Sequence, residues 1–209
     1  MDGDYFDTRY SYDPDRARVW RAICEYLQRF VPPGAAVLDL GAGYCDFINQ
    51  IRAERRYAVD INAGAGHFCA PGVQFLCADV TAPLGIPAQS LDVVFASNLL
   101  EHLTEEQCTA MFQAVDTVLR PSGRIILLQP NYYYCSRRYW DDFTHVKAFS
   151  HVSLPDLLRS KGYKVVHVEK RFLPLSFKST IPKSYALTKL YLHLPWRPLA
   201  GQMLVVGER

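Results

Sequence analysis

Between Trp140 and Phe149 the chain reads WDDFTHVKAF, which places Asp141, Asp142 and His145 within one short stretch. These residue types suit proton transfer. An imidazole titrates near neutrality, and a neighbouring carboxylate can orient its ring. His145 is therefore the candidate base, with Asp142 and Asp141 as candidate orienting acids. The same three side chains could hold a divalent cation, but no metal site is assigned. Asn131, Tyr132, Tyr133 and Tyr134 lie just upstream. Loops usually carry small polar residues, so this density of aromatics either packs the segment down or walls a pocket. Long connections in compact domains are usually functional. Asn131, Tyr132, Tyr133 and Trp140 are accordingly expected to line a pocket for a second, reacting ligand. His102 is a second base candidate, with local packing as its alternative.

The elements that must position these residues are regular. The chain has 209 residues, enough for one domain with a full core. Its 49% hydrophobic and 21% charged residues are globular values. A net charge of +2 gives no global argument for nucleic acid. The acidic start MDGDYFD is unlike a signal peptide, and no apolar run reaches the ~20 residues of a membrane span. Six cysteines without a C-x-x-C pair read as reduced thiols, and a cytoplasmic location is expected. Apolar runs predict strands at 35–40, 56–61, 73–78, 91–96, 124–128, 163–169 and 202–206. Helices are expected from Asp13-Pro14 to Phe30, over 44–53, from Thr104 to about Leu119, and from Ser153 to Gly162. Pro121-Ser122-Gly123 reads as a turn. Alternation of strands and helices predicts an α/β domain with a mainly parallel sheet. In such sheets ligands sit beyond the carboxyl ends of the strands.

Each of those ends carries a chemically useful residue. The first strand runs into Asp39-Leu-Gly41-Ala-Gly43-Tyr-Cys45. Two glycines let a ligand approach the backbone closely. A dinucleotide fingerprint would need glycine at 46, where this chain has Asp46. Carboxylates at 39 and 46 disfavour a pyrophosphate and suit a ligand with a cationic end. Asp60, followed by Ile61, ends the second strand and could grip ribose hydroxyls. Asp79 could accept from an amino group, and Val80 could cover a flat ring. Ser97-Asn98-Leu-Leu-Glu-His102 follows the fourth strand.

Taken in order, VLDLGAG, YAVDIN, FLCADV and LDVVFASNLLEHL resemble the class I S-adenosylmethionine-dependent methyltransferases over residues 35–130. The resemblance implies a Rossmann-like fold with a seven-stranded, mostly parallel sheet and helices on both faces. It implies S-adenosyl-L-methionine as cofactor. Asp39, Gly41 and Gly43 would lie by its methionine part and Asp60 at the ribose, with Ile61 also among the cofactor-binding residues. Asp79 and Val80 would lie at the adenine, and Asn98 beneath the sulfonium. Cys45 stands where many members have a third glycine. The expected organisation is a single domain: a helical cap (1–34), a cofactor core (35–130), an acceptor loop (131–152) and a basic insertion (172–200). Tyr5, Tyr10, Tyr12, Arg9, Arg16 and Arg18 could help close the site, or simply be solvated helix residues.

No Asp or Glu occurs from Lys170 to Gly207, while six Lys and Arg do. Ala186, Leu187, Leu190, Tyr191 and Leu194 form one helical stripe there. Such a helix could pack on the domain, touch a membrane surface, or bind an anionic or lipid-linked acceptor. Lys183 and Lys189 are expected to be exposed and unpaired. The expected activity is O-methylation of a small or medium-sized acceptor, a sugar-containing or specialised metabolite in biosynthesis. N-methylation, or a non-catalytic partner subunit, is the alternative. No nucleic acid is expected as partner, and the oligomeric state is open.

Overall fold

A computed structural model describes residues 13–174 and 183–209. In chain order the elements are α1 (Arg16–Leu27), β1 (Ala36–Leu40), α2 (Asp46–Gln50), β2 (Arg55–Asp60), β3 (Val73–Cys77), β4 (Leu91–Ser97), α3 (Glu105–Val118), β5 (Leu119–Pro130), α4 (Tyr132–Tyr139), α5 (Ser153–Ser160), β6 (Lys164–Glu169), α6 (Tyr185–His193) and β7 (Gln202–Glu208). Short 3-10 turns cover Gln28–Phe30, Ala63–Phe68 and Leu100–His102.

The strands form one seven-stranded sheet in the order β3-β2-β1-β4-β5-β7-β6. Pairings from β3 through β5 are parallel, and β7 runs antiparallel to both β5 and β6. The order reverses between β1 and β4, so the carboxyl ends of these strands flank the kind of crevice where open α/β sheets bind ligands. Strand alternation sorts the core into two layers. Leu38, Leu40, Val94, Ile125 and Leu127 join Met111, Phe112 and Val115 of α3 and Leu154 and Leu158 of α5 on one face. Val37, Phe95, Ile126 and Leu128 join Trp20, Ile23 and Leu27 of α1 and Phe47 and Ile48 of α2 on the other.

Thr104 caps α3 as its sequence predicts: its hydroxyl accepts from Gln107 N–H, and the Gln107 side chain accepts from Thr104 N–H. Two local expectations fail. Pro121-Ser122-Gly123 lies inside β5, because the end of β7 holds it: Ser122 N–H donates to Arg209 O, and Arg209 N–H to Gly123 O. Residues 132–139, expected as loop, form α4, whose buried Cys135 and Tyr139 stand one helical turn apart.

The basic segment also differs from expectation. Leu187, Leu190 and Leu194 are exposed, whereas Leu192 is buried against the α1 layer. Lys183 pairs with Asp13, and Lys189 with Glu25 at 3.1 Å. Both lysines therefore have acidic partners, supplied by residues at the start of the chain. Tyr5, Arg9, Tyr10 and Tyr12 lie outside the described residues. No helix among the described residues is long and apolar enough to cross a membrane.

Candidate active site

The turn after β1 folds back onto β2. Gly41 and Ala42 N–H both donate to Val59 O. Gly41 (φ 72°), Gly43 (φ 53°) and Cys45 (φ 57°) all adopt left-handed backbone, which explains the glycines. At Gly41 a Cβ would also come within 3.1 Å of Leu99 Cδ1. Cys45 takes the third such position, with its buried thiol 3.5 Å from Ala65 O and 3.2 Å from Cys69 Sγ.

Asp60 ties the two strand ends together. One carboxylate oxygen accepts from Gly43 N–H at 2.8 Å, the other from Asn62 N–H at 2.8 Å. Each oxygen keeps lone-pair capacity for a further donor. Ile61 beside it is 54% exposed, an apolar side chain left on the rim. At the end of β3, Asp79 accepts from the N–H and hydroxyl of Thr81, and Val80 is buried next to it. Asn98 follows β4 in left-handed conformation; its carbonyl oxygen accepts from Gln202 of β7 at 2.9 Å.

Asp39 is not an open carboxylate. It is buried under the turn, where burial pushes its pKa well up despite the Ile48 N–H that it accepts. Its contribution is to the shape of the turn. Asp46 is held by Arg16 at 2.8 Å, which joins α1 to the start of α2; burial raises its pKa too.

The acceptor-side residues split. Asn131 is fully buried, and its amide donates to Lys170 O and meets His151, so it braces the segment rather than lining a pocket. Tyr132 packs edge-on against Tyr139 and Trp140. Tyr133 and Trp140 are exposed.

His145 Nδ1 lies 2.7 Å from Tyr139 O, and a carbonyl can only accept. Nδ1 therefore carries the proton, and Nε2 keeps its lone pair. The expected orienting acid is thus replaced by a backbone carbonyl. Asp142 instead accepts the Thr144 hydroxyl proton at 2.7 Å, and Thr144 Oγ1 stands 2.9 Å from His102 Nδ1. That hydroxyl has already donated, so His102 donates from Nδ1. Asp142 serves His102, and Asp141 is exposed beside it. Burial, and then the charge His145 would carry, lower the His102 pKa.

Glu101 completes the group. It is 1% exposed, and burial pushes its pKa up to about 8. Neither carboxylate oxygen has a hydrogen-bond partner among the described residues. In the sequence Glu101 lies inside the motif LDVVFASNLLEHL, with no role expected of it. An acid in the apolar turn Leu99-Leu-Glu-His-Leu103 was the available signal. Gln129 of β5 was also missed: it is fully buried, and neither amide atom has a hydrogen-bond partner among the described residues.

Residues 37–123 match the family model described as a methyltransferase domain. Phosphoethanolamine N-methyltransferase 1 of Triticum aestivum is 30% identical over 104 residues, covering 45% of this chain and 21% of that protein. Phosphoethanolamine N-methyltransferase 3 of Arabidopsis thaliana is 35% identical over 91 residues, covering 37% and 18%. The chain spans about a fifth of the length of these curated relatives. Among solved structures, a SAM-dependent methyltransferase from Archaeoglobus fulgidus superposes with a TM-score of 0.69 at 19% identity, covering 99% of this chain and 98% of that one. The architecture is that of the class I methyltransferases. Over residues 37–123 the chain is similar to the methyltransferase domain family.

Proposed function

We propose that the protein is an S-adenosylmethionine-dependent methyltransferase that methylates an oxygen of a small or medium-sized acceptor, a sugar-containing or specialised metabolite. The observation that carries the reading is Asp60, whose two oxygens bridge the glycine turn and the end of β2 while keeping capacity for two ribose hydroxyls. Ile61 and Val80 would cover the adenine, with Asp79 at its amino group. Gly41, Gly43 and the turn that Asp39 supports would take the methionine part, and Asn98 would lie by the sulfonium. The cofactor supplies the activated methyl group. The chain has to align the acceptor and exclude water, and to handle the acceptor proton. Tyr132, Tyr133 and Trp140 would border the acceptor, and the Nε2 lone pair of His145 is available for its proton. The six cysteines are free, as suits a reducing cytoplasm.

A second reading, N-methylation, is favoured by the names of the wheat and Arabidopsis relatives. Transfer of tritiated methyl from S-adenosylmethionine to a panel of hydroxyl and amine acceptors, phosphoethanolamine among them, separates the two. Label in hydroxyl acceptors alone supports the first reading. Label in amines alone replaces it with the second, and label in neither overturns both.

A further inference from the structure

We propose that Glu101, His102 and His145 form a binding site for one divalent transition-metal ion. One carboxylate oxygen and one nitrogen from each imidazole lie within 4.8 Å of one another. Ligands about 2.1 Å from a tetrahedral ion stand about 3.4 Å apart. Side-chain shifts of roughly an ångström would therefore close the set.

Three features point to a cation rather than to packing. The first is tautomeric. Tyr139 O fixes the His145 proton on Nδ1, and Thr144, itself donating to Asp142, fixes the His102 proton on Nδ1. Both imidazoles are thus held in the tautomer that leaves Nε2 unprotonated. Metal-binding histidines are held in this way, with the non-ligating N–H given to a carbonyl or other oxygen. The second is the unpartnered Glu101 carboxyl. Its nearest imidazole nitrogen, His102 Nε2, is 4.0 Å away, too far for a hydrogen bond. A fully buried carboxyl without any partner is costly, and a bound cation removes that cost. The third is rigidity. Glu101 and His102 lie in the 3-10 turn after β4, and His145 lies 43 positions further on. The two segments are clamped together because Glu101 O accepts from Val146 N–H at 2.8 Å and Lys147 N–H at 3.2 Å.

Two nitrogens and one carboxylate oxygen suit Zn²⁺, Co²⁺, Fe²⁺ or Mn²⁺, whereas Mg²⁺ and Ca²⁺ prefer oxygen-rich shells. Three protein ligands leave a coordination position open. The use of that position rests on the methyltransferase reading: an acceptor hydroxyl bound there would lose its proton to solvent more readily. His145 would then act as a ligand and not as a base.

The test uses the full chain after dialysis against a chelator. Co²⁺ is titrated in while its visible ligand-field bands are followed, and Zn²⁺ is then added as competitor. One site per chain is expected, displaced by Zn²⁺ and not by Mg²⁺. Glu101→Gln and His145→Asn should each weaken binding at least ~10-fold, with circular dichroism checking the fold. Thr144→Val removes the hydroxyl that links His102 to Asp142 without touching a ligand, and should weaken binding by ~10–100-fold. No Co²⁺ binding to the wild type overturns the proposal. So does undiminished binding in folded Glu101→Gln and His145→Asn. S-adenosylhomocysteine calorimetry on the same chelated samples tests the cofactor reading separately.

Discussion

Replacing Asp60 by Asn tests the site at its most connected point. The carboxylate accepts one backbone N–H on each oxygen, from Gly43 and Asn62, both at 2.8 Å, in a residue only 6% exposed. An amide has a single carbonyl oxygen, so one of those N–H groups must face an NH₂ instead. Losing one hydrogen bond to a charged acceptor costs about 1.5–3 kcal/mol of stability. A ribose hydroxyl on that side loses its acceptor too. By the same measure the affinity for S-adenosylhomocysteine should fall about 10- to 150-fold. Thermal unfolding and calorimetric titration of both proteins measure the two effects. Unchanged affinity in a folded variant would refute the placing of the ribose at Asp60. A lowered melting temperature with unchanged affinity would leave Asp60 only as a brace of the turn.

In chelated protein, where His145 holds no metal and serves as the base, His145→Ala should lower turnover by ~10²–10⁴-fold while S-adenosylhomocysteine binding barely changes; steady-state kinetics beside calorimetry would check it. Gly41→Ala should cost about 1–2 kcal/mol, since φ is 72° and the new Cβ meets Leu99, and thermal melts would register it. In chelated protein, burial raises the Glu101 pKa to about 8 from the ordinary 4.5. The folded chain then holds a proton that the unfolded chain releases, so stability falls as pH rises between those values, by up to about 5 kcal/mol. Glu101→Gln should remove that slope in melts at about pH 5.5 and about pH 8.5.

The cofactor side of the molecule was legible because its signals are local. Buried strands appear as apolar runs, the Thr104–Gln107 box marks the start of α3, and the glycines at 41 and 43 mark a left-handed turn. The acceptor side was less so, because its relations span the chain. Asp142 stands three positions from His145 in sequence, yet it reaches His102 through Thr144, which lies 42 positions from that imidazole. The backbone carbonyl that orients His145 has no sequence signature at all. Tyr132–Tyr139 hides its helix because only Cys135 and Tyr139 are buried, too few to set a period. Lys183 and Lys189 looked unpaired because their partners, Asp13 and Glu25, lie 170 and 164 positions away.

The most direct measurement of the central claim is calorimetric titration of the wild-type chain with S-adenosylhomocysteine, with a nicotinamide dinucleotide in a parallel cell. Asp46 stands where a dinucleotide fingerprint needs glycine, and the Asp60 carboxylate at the glycine turn keeps capacity for ribose hydroxyls, which together favour a nucleoside ligand without a pyrophosphate. Saturable one-to-one binding of S-adenosylhomocysteine, with none of the dinucleotide, is the predicted result. Absence of binding at about millimolar concentration, affinities far weaker than the usual cofactor range, or preference for the dinucleotide would contradict the account.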